Sequence, residues 1–333
     1  MTLPAGLARV LPMLATLVLL VVAISVVSPG FLDISVANGR LYGSPIDVLN
    51  RGAPVALLAI GMTLVIATGG IDLSVGAVMA ICGAVAAKMV TLGYPLPVTL
   101  LAALATGALC GLWNGLLVSV LRIQPIIATL ILMVAGRGIA QLVTEGAILT
   151  FSAPGLAFLG SGAILGVPIP VLLWTAAALG TILVLRRTAL GFLIEAVGVN
   201  ARAAYRAGVN TRATIIAVYV VSGLCAALAG LVVTADIRGA DANNAGLWLE
   251  LDAILAVVIG GNSLLGGRFS IIASLIGAMI TQTVNTGILL AGFPPEYNLL
   301  IKAWIVLVIL LVQSPRLRPL LARRRASRQG TPP

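Results

Sequence analysis

One polar segment interrupts an otherwise apolar chain. Residues 195–212 read EAVGVNARAAYRAGVNTR and carry three arginines, whereas only 9% of the chain is charged. Asn200 suits the N-cap of a helix, and Gly208 suits the position that ends one. The residues between them are strong helix formers, so the segment is predicted to form about two turns of helix.

The predicted helix has two different faces. Ala201, Ala204 and Tyr205 fall together at i, i+3 and i+4, while Arg202 and Arg206 line another face at i and i+4. A small apolar face beside two cations indicates docking into a groove on another protein. The alternative is a basic cytoplasmic loop that serves membrane topology only.

The chain lacks the residues that nucleotide, metal or covalent chemistry requires. A phosphate-binding loop needs Gly-Lys before Ser or Thr, but Lys88 and Lys302, the only lysines, follow Ala and Ile. There is no histidine, and Cys82, Cys110 and Cys225 are far apart in apolar runs, as packing residues are. We therefore predict no enzyme activity, no metal and no cofactor.

Asp72, in GGIDLSVG, is an acidic residue with apolar sequence on both sides. Exposed to lipid, it would cost at least about 2.5 kcal/mol, so it must face a cavity, a helix N-terminus or a solvated turn. In one interpretation Asp72 or Ser74 caps a helix that begins near Val75. In the other Asp72 lines a transport route.

Uncharged polar residues are scattered along the apolar runs: Thr63, Thr68, Asn114, Gln124, Thr129, Gln141, Gln282 and Asn285. A neutral hydroxylated molecule such as a sugar needs donors and acceptors of this kind, although the same side chains also join helices to one another. The candidates for a transport path are Thr68, Asp72, Ser74, Asn114, Gln124, Gln282 and Asn285.

The composition is that of an integral membrane protein. Of 333 residues 60% are hydrophobic, and the mean hydropathy is +1.15. Continuous apolar runs without strand-like alternation predict an all-α, polytopic bundle of about ten transmembrane helices. The predicted spans are 9–28, 54–68, 74–92, 97–119, 126–143, 169–185, 213–234, 252–262, 270–291 and 297–313.

We expect a single transmembrane domain over residues 1–333. It comprises a membrane bundle (9–313), a cytoplasmic loop (186–212) and a basic cytoplasmic tail (314–333). Arginines are concentrated in the loop and the tail, which places both termini in the cytoplasm by the positive-inside rule. Anionic lipid headgroups explain this basic charge better than nucleic acid does.

Two glycine-rich breaks resemble each other and suggest that the two halves of the chain are related repeats. They read TGGIDLSVGAVMAICGA at 68–84 and IGGNSLLGGRFSIIASLIGA at 259–278. Small residues also recur in GALCGLWNG and SGLCAALAG. Such stretches let membrane helices approach closely, so we expect a compact bundle.

Two stretches carry a family resemblance. EAVGVNARAAYRAGVNT resembles the ATPase-coupling loop of permeases in carbohydrate-importing ATP-binding-cassette transporters of the ribose type. GMTLVIATGGIDLSVGAVMAICGAVAA resembles a membrane segment of the same permeases. The similarity runs from about residue 41 to 313, and IRGADANNAGLWLELDAILAVVIGG is most similar to permeases of galactofuranose importers.

The resemblance implies a bacterial inner-membrane subunit that imports a monosaccharide. It implies a second permease chain, the same or homologous, a periplasmic sugar-binding protein and a cytoplasmic ATPase with two nucleotide sites. The coupling role transfers to the matching positions Glu195, Gly198, Asn200, Ala203, Ala204 and Gly208. A stand-alone secondary transporter or facilitator and a membrane scaffold without transport are the alternatives.

Overall fold

The computed structural model describes the backbone of residues 5–37, 39–292, 294, 297, 299–304 and 307. Its helices are α1 (Ala5–Val27), α2 (Ser44–Arg51), α3 (Ala53–Ala67), α4 (Val75–Thr91), α5 (Leu96–Ser119), α6 (Pro125–Val143), α7 (Pro154–Ser161), α8 (Ile169–Arg187), α9 (Leu190–Arg206), α10 (Thr211–Ile237), α11 (Leu249–Ile259) and α12 (Ile271–Leu290). The predicted all-α fold is confirmed.

Short antiparallel pairs connect some of the helices. The strands are β1 (Ser35–Ala37), β2 (Arg40–Tyr42), β3 (Leu149–Thr150), β4 (Ala163–Ile164), β5 (Val167–Pro168) and β6 (Gly239–Ala240). β1 pairs with β2, β4 with β5 and β3 with β6, which brings the loop after α6 beside the loop after α10. We name this end of the bundle the hairpin end and the opposite one, where α9 lies, the coupling end.

The predicted count of ten spans is not confirmed. Among the described residues, six helices are long and apolar enough to cross a membrane, or seven if the bent pair α2 and α3 is one span. α4 and α11 are shorter because each begins after a break in the backbone. The tail 314–333 and most of the predicted span 297–313 lie outside the described residues.

The chain divides into two compact units, residues 1–283 and 284–333. In the first unit α10 packs against α3, α4 and α5, and nearly all of α3 is buried. Gly107 and Gly111 of α5 lie directly against the backbone of α10, as the small-residue stretches predicted. In the second unit the structure describes the last turns of α12 and the helical residues 299–304.

Three irregular stretches, 68–74, 241–248 and 260–270, lie next to the ends of α3, α4, α10, α11 and α12. The first and third are the breaks that suggested a repeat, and the relationship between the two halves remains a prediction. The second, 241–248, connects β6 to α11. We name it the re-entrant loop because it turns back from the hairpin end into the bundle.

The depth of the re-entrant loop follows from its contact with α4. At the hairpin end Lys88 of α4 bonds Glu145 (Nζ–Oε1 2.7 Å), and this hydrogen bond and charge hold the pKa of Glu145 below its usual value. Gly246 of the loop lies against Gly76, twelve residues before Lys88 on the same helix. At the rise of an α-helix this separation is about 18 Å, so the loop reaches the middle of the bundle.

Two helices therefore begin back to back in the interior. α4 starts at Val75 and runs to the hairpin end, while α11 starts at Leu249 and runs to the coupling end. A Cβ atom on Gly76 would overlap the carbonyl of Gly246, whose own φ is +73°. Only glycine allows this approach, since both backbones occupy the space of a side chain.

We predict that Gly76→Ala destabilises the protein by about 1–3 kcal/mol, because the added methyl group overpacks the contact with the re-entrant loop. Gly138→Ala is the matched control, since a Cβ there meets no atom within 4 Å. The measurement is thermal unfolding of the detergent-solubilised protein. Equal midpoints for the two variants would contradict the close approach.

Candidate functional site

The predicted coupling helix exists and is capped as expected. α9 is interrupted at Asn200, whose φ of −161° and ψ of 96° are not helical. The Asn200 Oδ1 accepts a hydrogen bond from Ala203 N at 3.0 Å. Asn200 is therefore the N-cap of a short second helical segment that ends at Arg206, because its side chain satisfies an N–H that has no partner within the helix.

Gly208 ends this segment as predicted. Its φ is +89°, a conformation that favours glycine. The turn is closed by Val209 N, which donates to Ala204 O at 3.0 Å, and by Gly208 N, which donates to Tyr205 O at 3.0 Å. These bonds satisfy carbonyl groups of the last turn, as in a common glycine-ended helix terminus.

One residue of the predicted docking face is covered within this chain. Ala204 is only 6% exposed and is buried within this chain, whereas Ala201 is exposed and Tyr205 is 71% exposed. Arg202 and Arg206 are exposed. The kink at Asn200 changes the direction of the second segment, so helix periodicity alone does not predict which of its residues are buried.

The two halves of α9 enclose a groove of about 440 Å³ at the coupling end. It is lined by Phe192, Glu195, Ala196, Val199, Asn200, Ala203, Ala204, Ala207 and Arg268. Phe192 and Val199 are each 74% exposed, and Ala203 is exposed. The groove thus offers apolar surface with one carboxylate and one guanidinium, a combination suited to a segment of another protein.

Gly198 connects this groove to two of the backbone breaks. A Cβ atom on Gly198 would overlap the Ala67 carbonyl at the end of α3 and lie 2.5 Å from Gly267 N in the 260–270 stretch. Gly267 N in turn donates to Ala67 O at 2.9 Å. We name residues 190–208 the coupling segment. Through Gly198 it contacts the ends of both breaks directly.

Asp72 lies in a buried hydrogen-bonded cluster. Its Oδ1 accepts from Ser74 N (3.0 Å) and Ser74 Oγ (2.6 Å), and its Oδ2 accepts from Ser222 Oγ of α10 (3.0 Å). Asn114 Nδ2 of α5 donates to Ser74 Oγ at 2.8 Å. Asp72 is 2% exposed, so the cluster joins the break to α5 and α10 through polar bonds inside an apolar core.

The cap predicted for Asp72 or Ser74 is wrong, although α4 begins at Val75 as expected. Ser74 occupies the N-cap position, but neither side chain accepts a hydrogen bond from an N–H within the helix. The physical reason is that the Ser74 hydroxyl group points to Asp72 and Asn114. The role of Asp72 in the transport route stays a prediction.

The other path candidates have varied surroundings. Thr68 bonds Val65 O of its own helix at 2.8 Å, and Gln124 is exposed at the N-cap of α6. Gln282 is buried on α12, and Asn285 follows on the same helix within the second unit. Among these candidates, hydrogen bonds join Asp72, Ser74 and Asn114.

The sequence did not indicate two residues of α10: Ser222, which bonds Asp72, and Tyr219, which lies beside the break. Tyr219 is fully buried, and its hydroxyl group has no hydrogen-bond partner among the described residues. That oxygen would lie 2.8 Å from a Cβ atom on Gly70, so it faces the break. No local signal in the sequence marks either residue, since they are about 150 positions from Asp72.

Comparison with known proteins places this geometry in a family. A model described as "Branched-chain amino acid transport system / permease component" matches residues 44–310, most of the chain. The chain belongs to this permease family. The match includes the breaks, the coupling segment and the Asp72 cluster.

Three relatives whose names describe sugar permeases are similar to this permease over most of both chains. The galactofuranose transporter permease protein YtfT of Escherichia coli K12 is 63% identical over 306 residues, 92% of this chain and 90% of that one. The fructose import permease protein FruF of Bifidobacterium longum is 40% identical over 93% of this chain and 89% of its own. The ribose import permease protein RbsC of Escherichia coli K12 is 39% identical over 91% and 93%, respectively. No solved structure matches the permease significantly.

These findings confirm the predicted family resemblance. They also confirm that the chain is a permease for sugar import. Together with the apolar helices, they indicate a multi-pass protein of the inner membrane. The chain is accordingly a transport subunit.

We predict that Asp72→Asn costs the permease at most about 1 kcal/mol of stability, because an amide can replace each of the three hydrogen bonds. Asp72→Ala removes these bonds and leaves a cavity, at a cost of about 2–4 kcal/mol. Thermal unfolding in detergent measures both. Equal stability of the two variants would contradict the structural role, and lost uptake by stable Asp72→Asn would assign the charge to transport.

Proposed function

We propose that this chain is the permease subunit of an ATP-driven importer of a monosaccharide, and that the sugar is galactofuranose. The observation that carries the proposal is the 63% identity to YtfT over 92% of this chain. Ribose and fructose permeases are related at 39–40% identity, so the general class of monosaccharide is supported by several relatives.

The proposed assembly has three kinds of partner: a second permease chain, the same or homologous, a periplasmic sugar-binding protein and a cytoplasmic ATPase. The ATPase is a separate subunit, since this sequence has no Gly-Lys phosphate-binding motif. The arginines at 186–212 and in the tail favour a cytoplasmic location for both termini.

The groove at the coupling end is the proposed ATPase contact. It lies at the end of the bundle that carries Arg186, Arg187, Arg202, Arg206 and Arg212, which the positive-inside rule assigns to the cytoplasm. Lipid tails do not cover side chains there, so exposed apolar residues in and around the groove favour a protein partner. Within the groove, Ala203 replaces Ala204 as the position that a partner would contact.

The alternative is a stand-alone secondary transporter, which would need a coupling-ion site, and Asp72 is a candidate for that site. Both carboxylate oxygens of Asp72 accept hydrogen bonds from Ser74 and Ser222. Because these hydrogen bonds already occupy the carboxylate, and because the chain belongs to the permease family, the ATP-driven importer is favoured.

We predict that Ala203→Glu weakens ATPase binding at least 30-fold, since a buried unpaired carboxylate in the groove costs about 2–4 kcal/mol. Ala213→Glu is the matched control, because Ala213 is exposed in the first turn of α10 and outside the groove. The measurements are co-purification of the ATPase and ATP-dependent uptake of radiolabelled galactose by vesicles that contain the complete importer.

Retained ATPase binding in Ala203→Glu would show that the groove is not the ATPase contact. Uptake by the wild-type permease without ATP or without an ATPase subunit would overturn the proposed importer itself. Uptake of ribose in preference to galactose, with the matching binding protein present, would overturn the sugar assignment only.

A further inference from the structure

Arg137 is a charged residue within a membrane helix. It lies on α6, which is long and apolar enough to span a membrane, six residues or about 9 Å before the end of the helix at Val143. Its side chain is only partly buried. A guanidinium at this depth would be costly against lipid, so its exposed part must meet water or another polar surface.

The first partner of Arg137 is the re-entrant loop. Its Nη1 donates to Ala242 O at 3.0 Å and to Ala245 O at 2.6 Å. Within the described part of the chain, its Nη2 and Nε groups make no hydrogen bond. A guanidinium has five N–H donors, so Arg137 holds the loop with one nitrogen and keeps donors for another partner.

Two carboxylates act on the charge of Arg137 from beyond salt-bridge distance. Glu250 and Asp241 both interact electrostatically with the guanidinium. Glu250 is buried in the first turn of α11, where the N-terminus of a helix stabilises a negative charge. Glu250 is thus a second acidic residue in the interior besides Asp72, and it lies against Gly76.

The polar surface extends from Arg137 toward the hairpin end. Gln141 lies one turn further along α6, and its Nε2 donates to Asn243 Oδ1 of the re-entrant loop at 2.7 Å. Gln141 and Asn243 are both exposed. We name Arg137, Gln141 and Asn243 the polar strip.

The polar strip differs from the rest of the exposed surface of α6. The other well-exposed side chains of this helix are apolar, such as Leu130, Val134 and Leu142. Lipid explains the apolar ones but offers no partner to the remaining donors and acceptors of the strip. Because the strip is exposed in this chain, a closed path along it needs a wall from a second chain.

We infer that the polar strip is one wall of the sugar path, and that it binds the hydroxyl groups of the passing monosaccharide. This inference rests on the proposed function, and the second permease chain supplies the opposite wall. Arg137 Nη2 and Nε and Asn243 Nδ2 are donors for sugar hydroxyl oxygens, while Gln141 Oε1 is an acceptor. A neutral polyol fits because two of the three residues of the strip are uncharged amides, and Glu250 and Asp241 of the same chain already act on the charge of Arg137.

The arrangement of helices supports a binding site at this depth. α4 and α11 are discontinuous helices whose N-termini meet beside the re-entrant loop, and Arg137 holds that loop. Discontinuous helices of this kind build substrate sites near the middle of many transporters, because their ends leave oriented polar groups inside the membrane.

The first test uses cysteine accessibility in the complete importer, reconstituted in vesicles, with Cys82, Cys110 and Cys225 replaced by Ala. Gly138→Cys is the probe, since Gly138 neighbours Arg137 and shares a face with Gln141, and a Cβ there meets no atom within 4 Å. Gly180→Cys is the matched control, because its Cβ space is equally open but it lines an apolar groove.

A charged, water-soluble methanethiosulfonate should modify Gly138→Cys at least tenfold faster than Gly180→Cys, and this modification should stop uptake of radiolabelled galactose. Equal, slow rates would place the strip against lipid or a dry helix contact and overturn the inference. The wild-type importer must take up galactose with ATP, and its failure to do so would count against the proposed function instead; the rates are compared in a cysteine-free importer that retains this uptake.

The second test is Arg137→Lys, which keeps the charge and the reach to the loop but loses the planar fork. We expect at least a tenfold fall in galactose transported per ATP hydrolysed, with normal assembly. Asn243→Ala should lower the same ratio. Because Asn243 is exposed, this variant provides the test if Arg137→Lys does not assemble. Wild-type ratios in the assembled variants would show that the strip only fixes the loop, which would overturn the inference.

Discussion

Lipid offers no hydrogen-bond partner to an irregular backbone, and the breaks in this permease must be packed inside protein for that reason. The chain meets this constraint by bringing backbone against backbone. Gly76 lies against Gly246 where α4 and α11 begin, and Gly198 lies against Ala67 and Gly267 where the two similar breaks meet. At these contacts a side chain larger than that of glycine has no space, so the positions of α4, α11 and α9 depend on one another.

This dependence gives the coupling segment a direct mechanical route into the bundle. α9 cannot shift at Gly198 without moving the end of α3 or the stretch that leads into α12. The stretch after α3 contains Asp72, which is bonded to Ser222 of α10. A movement imposed at the groove would therefore reach the interior through short, buried contacts, which is what an importer driven by an external ATPase requires.

The features that the sequence predicts well are the local ones. The cap at Asn200 and the end at Gly208 follow from neighbouring residues, and apolar runs located the helices. Burial of Ala204 and the bond between Asp72 and Ser222 depend on elements that are distant in sequence, so periodicity could not reveal them. The bonds of Arg137 to the re-entrant loop join residues more than 100 positions apart, so no local pattern indicated them.

In the proposed importer, Gly198 transmits ATPase-driven movement to the breaks. The most direct measurement is galactose transported per ATP hydrolysed by the complete importer with Gly198→Ala, compared with Gly180→Ala, where a methyl group meets no atom within 4 Å. We expect the ratio to fall at least tenfold for Gly198→Ala while the ATPase still co-purifies, and to stay unchanged for Gly180→Ala. A wild-type ratio for Gly198→Ala would contradict the claim.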